Sequence, residues 1–245
     1  MLLPYFGVQA GLQIAGSMRR ELASVLAADP ACPLCTDVTA GAYRLLRSAE
    51  NLELYCTLHQ NHFLLRPFDL CGVCRCVFSA AQDVISYPAN TLHCVCCSQT
   101  LAVSASQSAF ITVLLNLICN SLLYSGAKPV VRLRVFRQGN RAVMIFSDNG
   151  PGIPLHRQHR ALAPFETNSH LPGFGLGLPL AELFCHRSHG TFTLESQPGQ
   201  GVRIALSLPL CSASHLSPAP DPAALLADRF SPIYTQLSPR CILPD

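Results

Sequence analysis

Polar side chains interrupt an apolar, helix-forming segment near the middle of the chain. Residues 108–125 are rich in leucine, isoleucine and valine, yet Thr112, Asn116 and Asn120 recur at every fourth position and so fall on one stripe of a helix. A buried amide without a partner costs about 1–3 kcal/mol. We therefore expect this stripe to meet a polar ligand or water, with hydrogen bonds inside the protein as the alternative.

A first glycine-rich segment follows the stripe in sequence. Asp148-Asn-Gly150-Pro-Gly152 comes directly after a predicted strand, so the carboxylate lies at the end of that strand. The glycines let the backbone approach a ligand closely, and a carboxylate in such a place can accept a hydrogen bond from an exocyclic amine like that of adenine. The same residues also suit an ordinary tight turn.

A second glycine-rich segment, Gly173-Phe-Gly175-Leu-Gly177, opens a predicted helix. Glycines at alternate positions can expose backbone N–H groups to a phosphate at a helix N-terminus. The third glycine comes one residue too early for the dinucleotide-binding fingerprint, and no Gly-Lys-Ser/Thr is present as in a P-loop. By itself the repeat is a weak indication of a phosphate site.

The elements that must position these motifs alternate between helices and strands from residue 66 onward. The predicted helices are 68–85, 108–125 and 178–187, and the predicted strands are 91–98, 130–137, 141–147, 191–195 and 202–208. Helices that cover one face of a mixed sheet make a two-layer α/β sandwich. We expect this α+β domain to span residues 61–210.

A predicted helical hairpin, residues 7–60, precedes the domain, with helices over 7–29 and 39–59. Neither helix can bury its apolar stripe alone. Pairing with a second copy, as a four-helix homodimer, is one solution. Packing of the hairpin on its own downstream domain is the other.

Composition excludes several classes of protein. The formal charge is only +3, without a basic cluster, which argues against a nucleic-acid partner. The longest apolar helix, 109–124, is shorter than the ~20 residues of a membrane span, and no secretory signal is evident, so we expect a cytoplasmic protein. Residues 211–245 are rich in proline and serine and are predicted to be disordered, with 223–230 as a potential short helix.

Thirteen cysteines, including Cys32-x-x-Cys35 and Cys71-x-x-Cys74, raise the question of a metal or redox site. Their spacings match a zinc site poorly, and free cysteine commonly behaves as a small buried hydrophobe. We favour that interpretation and keep metal binding and redox chemistry as alternatives.

The order of the motifs along the chain resembles that of an ATP-binding domain. The stripe, Asp-x-Gly-x-Gly, Gly-x-Gly-x-Gly and a last hairpin with Gly199-x-Gly201 are similar to the domain shared by histidine kinases, gyrase, heat-shock chaperones and mismatch-repair ATPases. The sensor histidine kinases are the most similar branch. Residues 116–125 resemble their N box, 148–154 their first glycine box, 163–165 a reduced F box and 173–178 their second glycine box.

The resemblance implies a role for each motif residue. Asn120 would bind Mg²⁺, Asp148 would bind the adenine amine of ATP, and Asn116 would stand at the catalytic position. The remaining nucleotide-binding residues implied by the resemblance are Gly150, Gly152, Gly173, Gly175, Leu176 and Gly177.

Departures from the family pattern bear on activity. Relatives that hydrolyse ATP have a glutamate base where this chain has Asn116, so the resemblance favours a kinase over a hydrolase. The N-box lysine that contacts phosphate in many kinases is replaced by Leu123, and the seven-residue lid between Phe165 and Gly173 contains no lysine or arginine. Nucleotide binding is therefore better supported than turnover.

The hairpin resembles the dimerisation and phosphoacceptor element of the family more weakly. Arg20 stands where a kinase has its phosphorylated histidine, and no histidine occurs before His59. The resemblance thus implies an Mg-ATP-dependent, cytoplasmic sensor-kinase relative whose partner is a response regulator or another kinase. The alternative is a pseudokinase that acts as a nucleotide-binding regulator or scaffold.

Overall fold

The computed structural model describes residues 5–27, 35–60, 64–88, 91–166, 175–238 and 241. The helices are α1 (Tyr5–Ala27), α2 (Cys35–Leu58), α3 (Leu70–Val84), α4 (Gln107–Tyr124), α5 (Leu155–Ala161), α6 (Gly177–Arg187), α7 (Pro222–Ala227) and α8 (Pro232–Leu237). The strands are β1 (Arg66–Asp69), β2 (Leu92–Cys96), β3 (Ala102–Ala105), β4 (Val131–Gln138), β5 (Arg141–Asp148), β6 (Thr191–Ser196) and β7 (Val202–Pro209).

The main sheet has five strands in the order β2-β4-β5-β7-β6. Strand β2 runs parallel to β4, and the other pairs are antiparallel, so the sheet is mixed, as predicted. A second, two-stranded sheet pairs β1 with β3. Neither of these strands was predicted, because a four-residue strand beside a helix shows too little alternation to be recognised.

One face of the main sheet packs against α3, α4 and α6. Alternate residues of the central strands, among them Leu133, Phe146 and Leu206, are at most 3% exposed on that face, whereas the intervening residues lie on the open face. Helices on one side of a single mixed sheet confirm the predicted two-layer sandwich.

Helix α4 is the centre of the helical layer. Ser106 caps its N-terminus, where the side chain accepts a hydrogen bond from Ala109 N, and apolar residues cover nearly its whole circumference. By length and hydropathy it is the one helix in the described part of the chain that could cross a membrane. Because 67% of it is buried inside the protein, the same composition is explained by its place in the core.

The helical hairpin packs on its own downstream domain. Helices α1 and α2 lie side by side, and α2 also contacts α6 and α8. Tyr43 and Leu46 of α2 are buried in the common core. A single chain thus covers one face of α2, which is the second of the two predicted solutions.

The C-terminal segment differs from the prediction of disorder. Residues 211–238 return to the helical layer, where α8 packs against α4 and α2. Ile233 and Leu237 are fully buried. Composition was misleading because the six-residue α8 contributes a few well-placed apolar side chains to a core that the rest of the chain provides. The predicted short helix at 223–230 corresponds to α7.

Glu50 of α2 anchors the C-terminal segment. Its Oε2 accepts hydrogen bonds from Thr235 Oγ1 at 2.7 Å and from Gln236 Nε2 at 2.9 Å. Burial is the largest influence on this carboxyl and raises its pKa. Ionising Glu50 therefore costs more in the folded protein than in the unfolded chain.

The raised pKa of Glu50 predicts a pH-dependent stability. A carboxyl whose folded pKa is raised stabilises most below its unfolded pKa of about 4.3, and this contribution is lost as pH rises through the folded value. We expect Glu50→Gln, which keeps an accepting oxygen and removes the charge, to abolish this part of the decline in Tm between acidic and neutral pH.

Differential scanning calorimetry across this pH range measures the effect. Asp83→Asn, at an exposed position of α3, is the matched control and should retain the parent slope. Parallel pH profiles for the parent and Glu50→Gln would contradict the assignment.

Candidate functional site

The asparagine stripe of α4 faces the hairpin. Asn116 is fully buried. Its Oδ1 accepts hydrogen bonds from Arg47 Nη2 and Asn51 Nδ2, each at 3.0 Å. Its Nδ2 donates to Asn51 Oδ1 at 2.8 Å and to the Thr112 carbonyl oxygen at 3.1 Å.

This network uses the whole hydrogen-bonding capacity of the Asn116 amide, which has two acceptor sites and two N–H donors. No group of Asn116 is left for a substrate while α2 is docked. These contacts therefore do not support the predicted catalytic role of Asn116. They support the alternative of hydrogen bonding inside the protein, in which Asn116 fastens α2 to α4.

Asn120, one turn further along α4, has a different environment. It is partly exposed, and within the described ranges its Oδ1 accepts one long hydrogen bond, 3.4 Å, from Arg47 Nη2. A Cβ atom at Gly177 would lie 2.5 Å from Asn120 Nδ2, so glycine at the start of α6 allows the two helices to approach. The amide oxygen of Asn120 is thus available to a ligand, and it is a hard donor suited to Mg²⁺.

Asp148 lies at the end of β5, beside α4. Its Oδ1 accepts hydrogen bonds from Gly150 N at 2.9 Å and Val202 N at 3.1 Å. Its Oδ2 accepts one from Ser121 Oγ at 2.8 Å. These donors fix the carboxylate while leaving acceptor capacity on Oδ2, which is what recognition of an exocyclic amine requires.

Ser121 was not singled out in the sequence. It follows Asn120 directly, so the two side chains reach different partners from adjacent positions of α4. Only the docking of α4 against the end of β5 reveals that Ser121 holds Asp148.

The first glycine box interlocks with the turn between β6 and β7. Gly199 N donates to the Pro151 carbonyl oxygen at 2.7 Å. Gly152 has φ +71, and a Cβ there would lie 2.0 Å from the Gln197 carbonyl oxygen. Close backbone approach thus requires glycine at this position, and the approaching group is another loop of the protein.

The second glycine box is described from Gly175 onward, and Gly173 lies outside the described residues. Gly175 has φ +66, and a Cβ there would lie 2.1 Å from the Glu166 carbonyl oxygen. Leu176 is buried at the N-cap of α6, where backbone N–H groups are free to bind an anion. Gly175 therefore lets the backbone approach Glu166 closely, and Gly177 places the start of α6 next to Asn120.

The hairpin also contacts the reduced F box. The ring of Phe165 lies 5.8 Å from that of Tyr55 in an edge-on arrangement. Phe165 has φ +67, a left-handed conformation that is strained for a bulky residue. Helix α2 thus contacts both sides of the candidate site, the N box and the base of the lid.

Two groups of cysteines that are distant in sequence come together at α3 and β2. Cys71 Sγ lies 3.9 Å from Cys97 Sγ, and Cys94 Sγ lies 3.6 Å from Cys96 Sγ. Within the described ranges, no set of three or more histidine, cysteine or acidic side chains is arranged to hold a metal ion. Burial raises the pKa of the Cys74 thiol well above its ordinary value. The burial of Cys71, Cys74 and Cys76 favours the interpretation of these cysteines as small apolar residues, whereas Cys32 lies outside the described residues.

The interlocked loops predict unequal effects for two similar glycine substitutions. Gly199 and Gly201 have φ +78 and +76, but a Cβ at Gly199 meets nothing within 4 Å, whereas one at Gly201 would lie 2.1 Å from the Asp148 carbonyl oxygen. Left-handed strain alone should lower the free energy of unfolding of Gly199→Ala by about 1–2 kcal/mol. Gly201→Ala should lower the free energy of unfolding, measured by urea denaturation, clearly more than Gly199→Ala does, because the backbone at Asp148 must also move. Equal losses would contradict this packing.

Comparison of sequences identifies the domain that carries the site. Residues 105–212 match the family described as histidine kinase-, DNA gyrase B-, and HSP90-like ATPase. The alginate biosynthesis sensor protein KinB of Pseudomonas aeruginosa is 38% identical over 96 residues, which are 39% of this chain and 16% of that protein. The adaptive-response sensory kinase SasA of Prochlorococcus marinus is 34% identical over 113 residues, 44% of this chain and 30% of that protein. The matched part is thus a minor portion of each relative.

Solved structures share the fold. The catalytic domain of histidine kinase ThkA matches with a TM-score of 0.52 and 21% identity, over 60% of this chain and 97% of that one. Full-length ShkA in complex with AMPPNP matches with a TM-score of 0.63 and 19% identity, over 84% of this chain and 47% of that one. The chain therefore contains, at residues 105–212, a domain of the histidine kinase-, DNA gyrase B- and HSP90-like ATPase family.

Proposed function

We propose that this protein binds Mg-ATP between α4, the end of β5 and the start of α6. The observation that carries the proposal is the fixed carboxylate of Asp148, which Ser121 holds beside the helix that bears Asn120. The acid proposed to recognise adenine is thus held by the neighbour of the amide proposed to bind the metal, although Ser121 and Asp148 lie 27 positions apart in sequence. The AMPPNP bound to the structurally similar ShkA supports the choice of nucleotide.

In this proposal, Asp148 accepts a hydrogen bond from the adenine amine, and the Asn120 amide oxygen coordinates Mg²⁺. Gly150 and Gly152 shape the adenine end, while the phosphates bind at Gly173, Gly175, Leu176 and Gly177. The N–H groups at the start of α6 suit the phosphates because a helix N-terminus carries partial positive charge.

The reaction that we propose is phosphoryl transfer from ATP to a partner. The sensor kinases among the relatives support this reaction class. The acceptor would be a response regulator or another kinase in the cytoplasm, because Arg20 stands at the acceptor position of the hairpin. Homodimerisation through the hairpin is part of the proposal. Ile14 and Leu45 support it, since they are 56% and 47% exposed on α1 and α2.

The second candidate is a pseudokinase, which binds nucleotide and regulates a partner without turnover. Two observations favour it. The Asn116 amide is saturated by two residues of α2 and the Thr112 carbonyl, and the phosphate-binding lysine of the N box is replaced by the apolar Leu123. Such a protein would couple nucleotide occupancy to the position of the hairpin.

The adenine assignment predicts the effect of Asp148→Asn. Asparagine keeps an oxygen for the two backbone N–H donors but removes the negative charge that the adenine amine meets. Loss of one charge-assisted hydrogen bond should weaken ATP binding roughly ten- to a hundredfold.

Titration calorimetry with ATP measures this change. Asp228→Asn is the matched control, because Asp228 caps a turn in the C-terminal segment. Circular dichroism establishes that each variant is folded. Unchanged ATP affinity in folded Asp148→Asn would remove this residue from the site.

The acceptor assignment predicts no autophosphorylation of the hairpin in ATP alone. Arg20 is exposed on α1, and the nitrogen atoms of a guanidinium act as hydrogen-bond donors and offer no nucleophilic lone pair. Arg20→His introduces an imidazole and should yield acid-labile phosphate on residue 20 if the domain transfers phosphate. Arg19→His, at the neighbouring exposed position, is the control.

Incubation with γ-labelled ATP, followed by peptide mass spectrometry, detects the product. Phosphohistidine in the parent protein would show an acceptor that the alignment misses. An Arg20→His protein that binds ATP but gains no phosphate on residue 20 would favour the pseudokinase.

A further inference from the structure

Arg47 of α2 is a buried cation that forms no ion pair with any side chain in the described part of the chain. Its side chain is only 7% exposed, and its Nε is buried without a hydrogen-bond acceptor among the residues that the structure describes. The ion pairs formed by the described side chains involve Arg19, Arg75, Arg160 and Arg203. Among the described residues, the hydrogen-bond partners of Arg47 are the amide oxygens of Asn116 and Asn120.

Glu50, one turn away on the same helix, does not neutralise Arg47. Its Oε2 is occupied by Thr235 and Gln236. Burial raises the pKa of Glu50, and the arginine that lowers it is Arg19. A buried charge that lacks a partner is costly, and proteins rarely keep one unless an opposite charge meets it.

The guanidinium lies beside the proposed Mg²⁺ ligand, at 3.4 Å from the Asn120 amide oxygen. Asn120, one of its two partners, is the proposed Mg²⁺ ligand, and it also contacts the start of α6 at Gly177. The phosphate-binding lysine of the N box is Leu123 here, and the lid contains no lysine or arginine. This end of the cleft would otherwise offer few positive charges to a triphosphate.

We propose that Arg47 is a phosphate-binding residue, and that the triphosphate of ATP is the counter-ion for its guanidinium. The hairpin thus supplies, from the same chain, the cation that the N box and the lid lack. An arginine fork suits this role because it can donate two parallel hydrogen bonds to phosphate oxygens. The inference rests on the proposed ATP site and extends it to α2.

Docking of α2 and occupation of the site are then coupled. When the triphosphate pairs with Arg47, the contacts of α2 with the N box become more favourable. Any signal that moves the hairpin removes a phosphate ligand. Adenosine, which has no phosphate, binds without this coupling.

Titration calorimetry with adenosine, ADP and ATP tests the proposal on the full chain. Arg47→Met keeps much of the stem and removes the charge, and it should weaken ATP binding roughly ten- to a hundredfold while leaving adenosine affinity unchanged. Arg47→Lys keeps the positive charge and should therefore retain part of the ATP affinity that Arg47→Met loses. Arg44→Met, an exposed position one turn earlier, is the matched control and should bind like the parent.

Three results would overturn the role of Arg47. Unchanged ATP affinity in Arg47→Met would show that the charge does not meet phosphate. Equal losses for adenosine and ATP would indicate a purely structural role. Tighter ATP binding would show that Arg47 competes with Mg²⁺ for Asn120. A parent protein that binds neither adenosine nor ATP would instead refute the proposed function itself.

Hydrogen–deuterium exchange of the unmutated protein provides a second test that does not depend on variants folding. ATP should slow exchange in α2 around residue 47, and adenosine should not. Equal exchange in α2 with ATP, with adenosine and without ligand would also overturn the proposal.

Discussion

Helix α4 must be buried almost all round and still satisfy the amides that it carries, and the arrangement of the other elements follows from this constraint. Its apolar faces pack between the sheet and the helices α3, α6 and α8. Its polar stripe requires partners, which α2 provides through Asn51 and Arg47. A buried amide that lost them would cost about 1–3 kcal/mol, so the hairpin is fastened to the domain by more than apolar contact.

The same helix carries two asparagines in different environments one turn apart. Asn116 is saturated by protein groups, whereas Asn120 keeps an accessible oxygen beside the start of α6. Ser121, at the next position, holds Asp148 at the edge of the sheet. The helix thus orients both ends of the candidate nucleotide site, and the interlocked glycine loops keep Asp148 in place.

The terminal segments complete the helical layer from both ends of the chain. Helix α2 covers the N box, and α8 packs against both α2 and α4. Glu50 joins the two segments through Thr235 and Gln236. A displacement of the hairpin would therefore alter contacts at the C-terminal segment as well as at the candidate site, because residues 47–51 of α2 contact both.

The sequence by itself determined the local elements and the motif order. Periodicity predicted the hairpin helices and the two-layer fold, and turn residues indicated the strand ends at which Asp148 and Gly201 lie. These features depend on neighbours within a few residues, which a single sequence displays directly.

Only the tertiary structure decided which distant groups meet. It brought Arg47 and Asn51 to Asn116, Ser121 to Asp148, and the residues of α8 to a core that composition had argued against. Such contacts depend on how helices dock, and helix packing is set by the whole interface and not by the local pattern. The sequence therefore indicated a candidate nucleotide site, and the fold revealed that the hairpin docks against the N box of that candidate site.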